Sequence, residues 1–512
     1  MTFLQKYLLS NQTFASRKEA TLSVVLLVLW WIVVLVGVNY HELYRDEVRA
    51  LTIALEPESI FGLFSALKEE GHPVVWYMLL RFFHGIVDSP LVLPVVSTGV
   101  AFAGIFAFFH FAPFSNWQKI LFIFGAFPIY QYSVMSRNYG LAMLLVFLFA
   151  HFYRTRQKNP LVLSILLFVL ANTSAHACLI TAVLSLVWVV EYFTGERKNL
   201  VLHLGSFVLV VLGGVLALVT TMPSSDTAVT SVVSSGLGFG ELIDTLFKNL
   251  LHPAGYYSAI FPKISPLMRD LVFWGLFAGL CVKPIRAAGL VLGMILLGSF
   301  FSLVYYGGPR HQGIFYLLMI TLYWVTVAEG GFTASFRESL HRWVVTVGLG
   351  GILALHFFLG GQAIWAEVEQ EQSSVKKLAE YINQSSPDAI LMPEPGYSIE
   401  AIPYYSNNEI YLIREMRYAK RAQFTLHANF DLRLDELLEQ AQILEAKREK
   451  KVLIVLAHLD LASREKRQIV FPYGKKFSWT NQSLEKFLRL TEKVGDFRGA
   501  KYGENFEVYR LK

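Results

Sequence analysis

Long apolar stretches recur along the first 361 residues, and they constrain the fold more than any other feature of the chain. A helix of about 20 apolar residues crosses the roughly 30 Å hydrocarbon core of a bilayer. About eleven stretches reach or approach that length, and they lie near residues 21–39, 90–112, 119–135, 138–153, 160–175, 177–193, 200–220, 269–282, 287–305, 311–328 and 342–361. Hydrophobic residues form 54% of the chain and charged residues only 16%. The sequence therefore predicts a polytopic α-helical membrane protein with about eleven spans.

The stretch 73–87 decides the topology, because it is apolar but short and is interrupted by Arg81 and His84. If it lies flat on the outer surface as an interfacial helix, the inside loops carry the basic clusters, as the positive-inside rule requires. These clusters contain Lys119, Arg154, Arg156, Lys158, Arg197, Lys198, Lys283, Arg286, Arg337 and Arg342. We therefore predict an interfacial helix, a multi-pass protein of the plasma (inner) membrane, and a cytoplasmic N-terminus whose first span is an uncleaved signal anchor.

The loop 40–89 concentrates charge where a loop beside a bilayer normally sheds it. An unpaired ion at low dielectric costs several kcal/mol, so such a concentration indicates function. In this topology the loop faces outward, and four other polar segments share its side of the membrane: 136–139, 172–176, 222–268 and 305–311. We interpret 40–89 as an active-site loop and 222–268 as a second outer loop that could cover it.

The composition changes after residue 362, where charge rises and the apolar stretches end. Helices are predicted at 372–383 and 433–449, and strands at 388–392, 409–413, 451–456 and 505–510. The sequence thus divides into a transmembrane module, 1–361, and a small outward-facing, extracytoplasmic α/β domain, 362–512.

Charge and cysteine usage exclude two other classes of protein. The net charge is +6, but the basic residues are scattered between apolar stretches rather than gathered on one face, so no nucleic-acid partner is expected. Cys178 and Cys281 both lie in or beside apolar stretches. Neither a disulfide framework nor a paired-cysteine metal site is therefore predicted.

The acidic pair Asp46 and Glu47 directly follows the first span and is bracketed by Arg45 and Arg49. Its ordinary interpretation is a solvated surface. A carboxylate held at the interface can also take a proton from an attacking hydroxyl, and Asp46 is the candidate base. Glu47 is expected to orient Asp46, or to bind the acceptor or, with Asp46, a divalent metal ion. Arg49 is placed among the residues that line the site.

His72 and Arg137 are candidates for binding a lipid phosphate. His72 precedes Pro73 at the expected start of a helix, where a phosphate gains support from the helix dipole, although a solvated cap is the alternative. Arg137 lies between two apolar stretches with Tyr132 and Tyr139 on either side. An arginine there can clamp phosphate with two hydrogen bonds, or it can simply extend to lipid headgroups. Tyr139 is counted as a residue lining the site.

Arg310 and His311 follow a Gly-Gly-Pro turn with two tyrosines, at the outer end of a predicted span. We place both residues at the donor phosphate. His176 lies in a polar break between two apolar stretches, and it is a candidate site-lining residue, although a packing role is the more common one for a lone histidine.

The segments YRDEVRAL, GHPVVWY and SRNYGLAMLL, together with Pro128, resemble the GT-C membrane glycosyltransferases. The resemblance is to the family 39 group, which contains protein O-mannosyltransferases and the lipid A aminoarabinose transferase. It covers residues 20–195 well and the rest only in layout. The chain departs from the family in two places: Gly140 and Leu141 stand where many members carry an acidic residue, and Gly71 stands where the aminoarabinose transferase has a glutamate. These departures argue against a carboxylate metal site, unless the turn lets Glu70, one position away, compensate.

This resemblance implies a sugar donor linked to a polyprenyl phosphate in the outer leaflet and an acceptor hydroxyl that attacks the anomeric carbon. Asp46 then corresponds to the catalytic aspartate, and His72 and Arg137 fall where residues that bind the donor phosphate or shape the site are expected. Arg137, Arg310 and His311 are expected to hold the charge of the leaving phosphate. The acceptor, whether a glycan, a lipid or a protein, stays open. So do two other functions: a lipid or polysaccharide transporter or flippase, and a membrane-anchored assembly protein that acts through residues 362–512.

Overall fold

A computed structural model of the protein describes residues 17–228, 239–330, 336–457, 459, 461, 467–501 and 504–512. The residues before the first helix lie outside these ranges. So does 229–238, in the second predicted outer loop.

The described residues up to Glu369 fold mainly into helices, which we number in chain order. They are α1 (Arg17–Tyr40), α2 (Arg45–Leu55), α3 (Ile60–Ala66), α4 (Val75–His84), α5 (Val92–Phe111), α6 (Asn116–Ile123), α7 (Tyr139–Phe152), α8 (Pro160–Ala171), α9 (Ala175–Thr194), α10 (Leu200–Thr221), α11 (Phe239–Leu251), α12 (Pro266–Leu280), α13 (Pro284–Leu303), α14 (Pro309–Glu329), α15 (Phe336–Trp343) and α16 (Gly350–Glu369). Two π-helical segments, Phe127–Val134 and Val344–Leu349, interrupt the regular pattern.

Seven of the helices in the described ranges are long and apolar enough to cross a membrane, so the chain is a multi-pass membrane protein. They are Thr21–Tyr40, Val92–Phe111, Ala175–Thr194, Leu200–Thr221, Pro284–Leu303, Pro309–Glu329 and Phe336–Glu369. The other four predicted spans are shorter helices, and one of them, 119–135, is divided between α6 and the first π-helical segment. The count of eleven spans stays a prediction.

Helix α4 lies within the stretch whose status decided the predicted topology. Its 10 residues extend for only about 15 Å, half of the hydrocarbon core, so the helix does not span. One face packs inward through Trp76 and Leu80, whereas Phe82 and Phe83 are exposed. Arg81 turns away from the apolar face and donates hydrogen bonds to the backbone carbonyls of Ala54, Pro57 and Glu58. This amphipathic arrangement agrees with an interfacial helix.

The C-terminal residues form a small α/β domain, in which four of the strands make a mixed main sheet. Its strands are β1 (Ile390–Glu394), β2 (Tyr411–Leu412), β3 (Arg417–Tyr418), β4 (Asp431–Arg433), β5 (Val452–Ala457), β6 (Gln468–Val470), β7 (Lys476–Ser478), β8 (Thr491–Phe497) and β9 (Phe506–Leu511), and its helices are α17 (Val375–Ser385), α18 (Leu434–Arg448) and α19 (Asn481–Leu490). The main sheet has the order β1-β5-β9-β8, with β1 parallel to β5 and the remaining pairs antiparallel. Both predicted helices and all four predicted strands are present, with ends shifted by a few residues.

Helix α16 leads directly into this domain. It continues to Glu369, so the predicted boundary between residues 361 and 362 falls inside a helix. The prediction followed the end of the long apolar stretch, whereas the helix continues through a segment that contains Gln362, Glu367 and Glu369. The second outer loop also touches the domain, where Thr227 pairs with Thr425 in a short β-bridge and the amide of Ala228 donates to the carbonyl of Phe424 (2.6 Å).

Candidate active site at one end of the helical bundle

Asp46 lies in the first turn of α2, where a carboxylate is favoured by the positive end of the helix dipole. Its two oxygens accept from two arginines: Oδ1 from Arg45 Nε (3.2 Å) and Oδ2 from Arg310 Nη2 (2.8 Å). Arg310 also donates to the hydroxyl of Tyr44. The structure thus brings together Asp46 and Arg310, which are 264 residues apart and which the sequence analysis placed on the same side of the membrane.

Arg137 completes this group from the turn that precedes α7. Its Nη1 donates to the backbone carbonyl of Asp46, and its Nη2 donates to Nε2 of His72 (2.7 Å). A ring nitrogen that accepts a hydrogen bond is unprotonated, so His72 is neutral. Burial and the positive charge of Arg137 lower the pKa of His72 well below its usual value, which agrees with this assignment.

Close packing at two glycines, Gly140 and Gly313, positions the helices that carry Arg137 and Arg310. At Gly140, in the first turn of α7, a Cβ atom would lie 2.5 Å from the carbonyl oxygen of Tyr132. At Gly313, in α14, a Cβ atom would overlap the Tyr132 hydroxyl and the ring of Phe127. A larger residue at either position would push α7 or α14 away from the π-helical segment and so separate Arg137 from Arg310.

The positive charges around Asp46 control its ionisation. Burial alone would raise the pKa of the Asp46 carboxyl, but the charges of Arg45, Arg310 and Arg137 outweigh burial and hold the pKa well below its usual range. Asp46 is therefore ionised at neutral pH. While these three arginines stay beside the Asp46 carboxylate, however, that carboxylate is a weak base.

Three aromatic residues form a second group beside the arginines, which we call the ring cluster: Tyr139, His176 and His311. The rings of His176 and His311 lie 4.7 Å apart, and Tyr139 contacts His311 edge-on at 5.6 Å. Ser174 caps α9 by accepting from the amide of Ala177 (3.1 Å), which fixes His176 in the first turn. The ring cluster therefore joins His176, the weakest of the sequence predictions, to the rest of the site.

Glu47 points away from Asp46 and belongs to a buried chain of hydrogen bonds. Its Oε2 pairs with His41 Nε2 (2.8 Å), and its Oε1 accepts from the amide of Ser136. The other ring nitrogen of His41 pairs with Glu367 Oε1 (2.6 Å), and Glu367 Oε2 accepts from the hydroxyl of Tyr130 (2.5 Å). Because Glu47 follows Asp46 and Ser136 precedes Arg137, this chain sets the distance between the two site residues.

We expect Glu47→Ala to destabilise the protein, because it leaves His41 and Glu367 buried without their third partner. Removing one member of a buried ionic group costs about 3–5 kcal/mol. The measurement is thermal unfolding in detergent, with Glu196→Ala as the control, since Glu196 is exposed and pairs only with its neighbour Lys198. An unchanged melting temperature for Glu47→Ala would contradict this account.

His41 should give the stability of the protein a distinctive dependence on pH. Burial opposes protonation, but Glu47 and Glu367 outweigh it and raise the pKa of His41 from 6.5 to about 10. A raised pKa means that the stabilisation is complete below pH 6.5 and is lost as the pH rises toward about 10. The unfolding free energy of the wild type relative to His41→Gln should follow that course. A difference that grows with pH would contradict the prediction.

Arg49 faces the C-terminal domain rather than Asp46. It donates to Glu70 (2.8 Å) and to Glu400 (2.6 Å), and its guanidinium stacks on the ring of Phe424 at 4.8 Å. Arg45, beside Asp46, stacks in the same way on Tyr397 at 5.0 Å. The C-terminal domain therefore forms one wall of the site, and Arg49 attaches the active-site loop to that wall.

The carboxylates that the sequence offered for a metal ion do not fit one. Glu47 is engaged by His41, Glu70 by Arg49, and Asp46 by two arginines. Within the described residues, no group of three or more His, Cys, Asp or Glu side chains could hold a metal ion. We therefore derive no step through a metal.

Sequence reasoning assigned no role to four residues of this region: Tyr44 and Arg45 lie beside Asp46, and His41 and Glu367 belong to the hydrogen-bond chain of Glu47. Arg45 was visible only as a neighbouring charge, and Tyr44 and His41 as members of a charged loop. Glu367 had no signal, since it lies 320 positions after Glu47 and reaches the site only through the end of α16.

Comparison with known proteins gives a distant structural likeness over nearly the whole chain. An ArnT from Cupriavidus metallidurans in the apo state shares 14% identity, covers 96% of this chain and 98% of its own, and superposes with a TM-score of 0.49. The same protein bound to undecaprenyl phosphate gives 11% identity, the same coverage and a TM-score of 0.46.

A third structure, the arabinofuranosyltransferase AftD from Mycobacteria, shares 12% identity over 98% of this chain but only 40% of its own, with a TM-score of 0.35. No protein-family model matches the sequence, and no curated protein matches it.

Proposed function

We propose that this protein is a GT-C glycosyltransferase that moves a sugar from a polyprenyl phosphate to an acceptor hydroxyl at the outer membrane surface. The observation that carries the proposal is the combination of one carboxylate, Asp46, with the guanidinium groups of Arg137 and Arg310 at one end of a bundle of apolar helices. A polyprenyl tail cannot leave the bilayer, because burial of each CH₂ group contributes about 0.8 kcal/mol. Chemistry on its phosphate must therefore occur at a helix end.

The helix directions support an anionic donor. Helices α2, α7, α9 and α14 all begin at the site, so the positive ends of four helix dipoles lie there. A phosphodiester carries one negative charge, and it gains a second when its bond to the sugar breaks. Arg137 and Arg310 are placed to hold that developing charge, which is where preorganised cations contribute most.

In the proposed reaction, Asp46 accepts a proton. The acceptor hydroxyl gives its proton to the Asp46 carboxylate, and its oxygen forms a bond to the anomeric carbon. The bond from that carbon to the phosphate oxygen breaks, and Arg137 and Arg310 stabilise the charge of the polyprenyl phosphate as it leaves. Before donor binding, Arg310 holds Asp46 and weakens it as a base. A donor phosphate competes for Arg310, so donor binding itself raises the basicity of Asp46.

The pH dependence of transfer tests this coupling. Asp46 in the free protein has a lowered pKa, so kcat/KM for the donor should keep its value down to pH values below the ordinary aspartate pKa of about 3.9. The profile of kcat reports the donor complex, in which Arg310 has moved to phosphate, so its acid limb should lie at higher pH. Coincident limbs, or limbs in the opposite order, would contradict the exchange of Arg310 between the two anions.

A direct test of the function is transfer by the purified protein from a panel of undecaprenyl phosphate sugars. We expect one donor to be consumed with release of undecaprenyl phosphate. A transporter would move lipid between leaflets without cleaving it. An assembly protein would keep its function when Asp46 is replaced.

A further inference from the structure

Buried polar atoms without hydrogen-bond partners gather at the ring cluster. Both ring nitrogens of His176, the Nδ1 atom of His311 and the hydroxyl of Tyr139 are buried and unpaired. Next to them, the Oγ atom of Ser136 and the Nε atom of Arg137 are also buried and unpaired. Folded proteins pair the large majority of their buried polar groups, so six such atoms in one place indicate a position that a ligand fills.

The surroundings of His176 argue against a packing role. Its neighbours are the rings of Phe300 (5.1 Å) and Phe301 (5.6 Å), which offer no hydrogen bonds. A phenylalanine could pack there without leaving two unpaired nitrogens. An imidazole is costly in such a place unless something binds it.

The ring cluster is joined directly to the residues proposed to hold the phosphate. Tyr139 lies two positions after Arg137, and His311 immediately follows Arg310. Resting on the proposed function, we propose that Tyr139, His176 and His311 form the subsite for the sugar of the donor, and that this sugar is neutral and hydroxylated rather than an amino sugar.

The hydrogen-bonding chemistry of the cluster selects this class. A sugar hydroxyl both donates and accepts, and it therefore matches neutral imidazoles and a phenol. An ammonium group only donates and needs a carboxylate to balance its charge. The two carboxylates of the active-site loop nearest the cluster are engaged, Asp46 by Arg45 and Arg310 and Glu47 by His41. An amino sugar would instead meet the positive charges of Arg137 and Arg310.

The cluster can be reached from outside the bundle. Tyr305, in the turn between α13 and α14, is 53% exposed and covers His311 edge-on at 5.2 Å. Movement of this side chain would open the ring cluster to a sugar attached to a phosphate on Arg310.

The experiment measures equilibrium binding to the full-length protein in nanodiscs. The probes are undecaprenyl phosphate alone and three matched pairs of undecaprenyl phosphate sugars, glucose, mannose and arabinose, each with an analogue in which one hydroxyl is replaced by an amine. The variants are Tyr139→Phe, which removes only a hydroxyl, and the double variant His176→Leu, His311→Leu. His203→Leu is the control, because His203 is also buried but lies at the other end of the bundle, bonded to the carbonyls of Asn199 and Arg156.

The wild type and His203→Leu should bind at least one neutral sugar lipid about tenfold more tightly than its amino analogue. Tyr139→Phe and the double histidine variant should lose this preference and bind undecaprenyl phosphate as the wild type does. Equal or tighter binding of the amino analogues by the wild type would overturn the subsite. A cluster variant that weakens the binding of undecaprenyl phosphate as much as the binding of the sugar lipids would overturn it too. A wild type that binds no undecaprenyl phosphate would remove the proposed function itself.

Discussion

Replacing Asp46 with asparagine should reduce sugar transfer by about 10²–10⁴-fold, the usual contribution of a positioned general base. Asparagine keeps the shape of the side chain, and its single carbonyl oxygen can still accept from one of the two arginines that bind Asp46, so folding should be preserved. The measurement is the rate of transfer from a defined undecaprenyl phosphate sugar, together with thermal unfolding to show that the variant is intact.

Asp88→Asn is the matched control, because it makes the same chemical change in the same loop. Asp88 is exposed and its only recorded partner is His84 (3.2 Å). Its transfer rate should equal that of the wild type. A normal rate in Asp46→Asn would remove Asp46 from the chemistry, whereas an equal loss in both variants would indicate a general effect on the loop.

The second large effect is expected at the two arginines. Arg137→Gln and Arg310→Gln should each lower the transfer rate by about 10²–10³-fold, because each removes a preorganised donor to the leaving phosphate. Arg310→Lys should recover only part of the loss, since lysine keeps the charge but not the planar pair of donors.

Arg154→Gln provides the comparison for these variants. Arg154 is exposed at the other end of the bundle and carries the same charge. Loss of transfer in Arg154→Gln equal to that in Arg310→Gln would show that total charge, and not position at the site, controls the rate.

The sequence predicted the helical part well because the length of an apolar stretch is a direct physical requirement of the bilayer. The start of α7 near Tyr139 and the elements of the C-terminal domain followed from local pattern in the same way. The single predicted span 119–135 missed the break between α6 and the π-helical segment, although Gly125 and Pro128 lie beside it and are the sequence signal that could have marked it.

The site shows a sharper limit. Asp46, His72, Arg137 and Arg310 could be grouped because all lie at predicted span ends on one side of the membrane. The sequence could not show that Glu47 and Arg49 point away from Asp46, because the direction of a side chain in α2 depends on partners far along the chain. Glu367 orients Glu47 through His41, and Glu400 orients Arg49. Both residues attach the loop to the fold, and neither touches the carboxylate of Asp46 in a recorded hydrogen bond.

The central claim is that a lipid-linked phosphate binds where Arg137 and Arg310 meet. Photo-crosslinking with a diazirine analogue of undecaprenyl phosphate, followed by mass spectrometry of peptides, tests it most directly. The account predicts labelled peptides from the segments around residues 135–139 and 304–311, reduced in Arg310→Gln. Labelling confined to the opposite end, around 153–159 and 281–284, would contradict it.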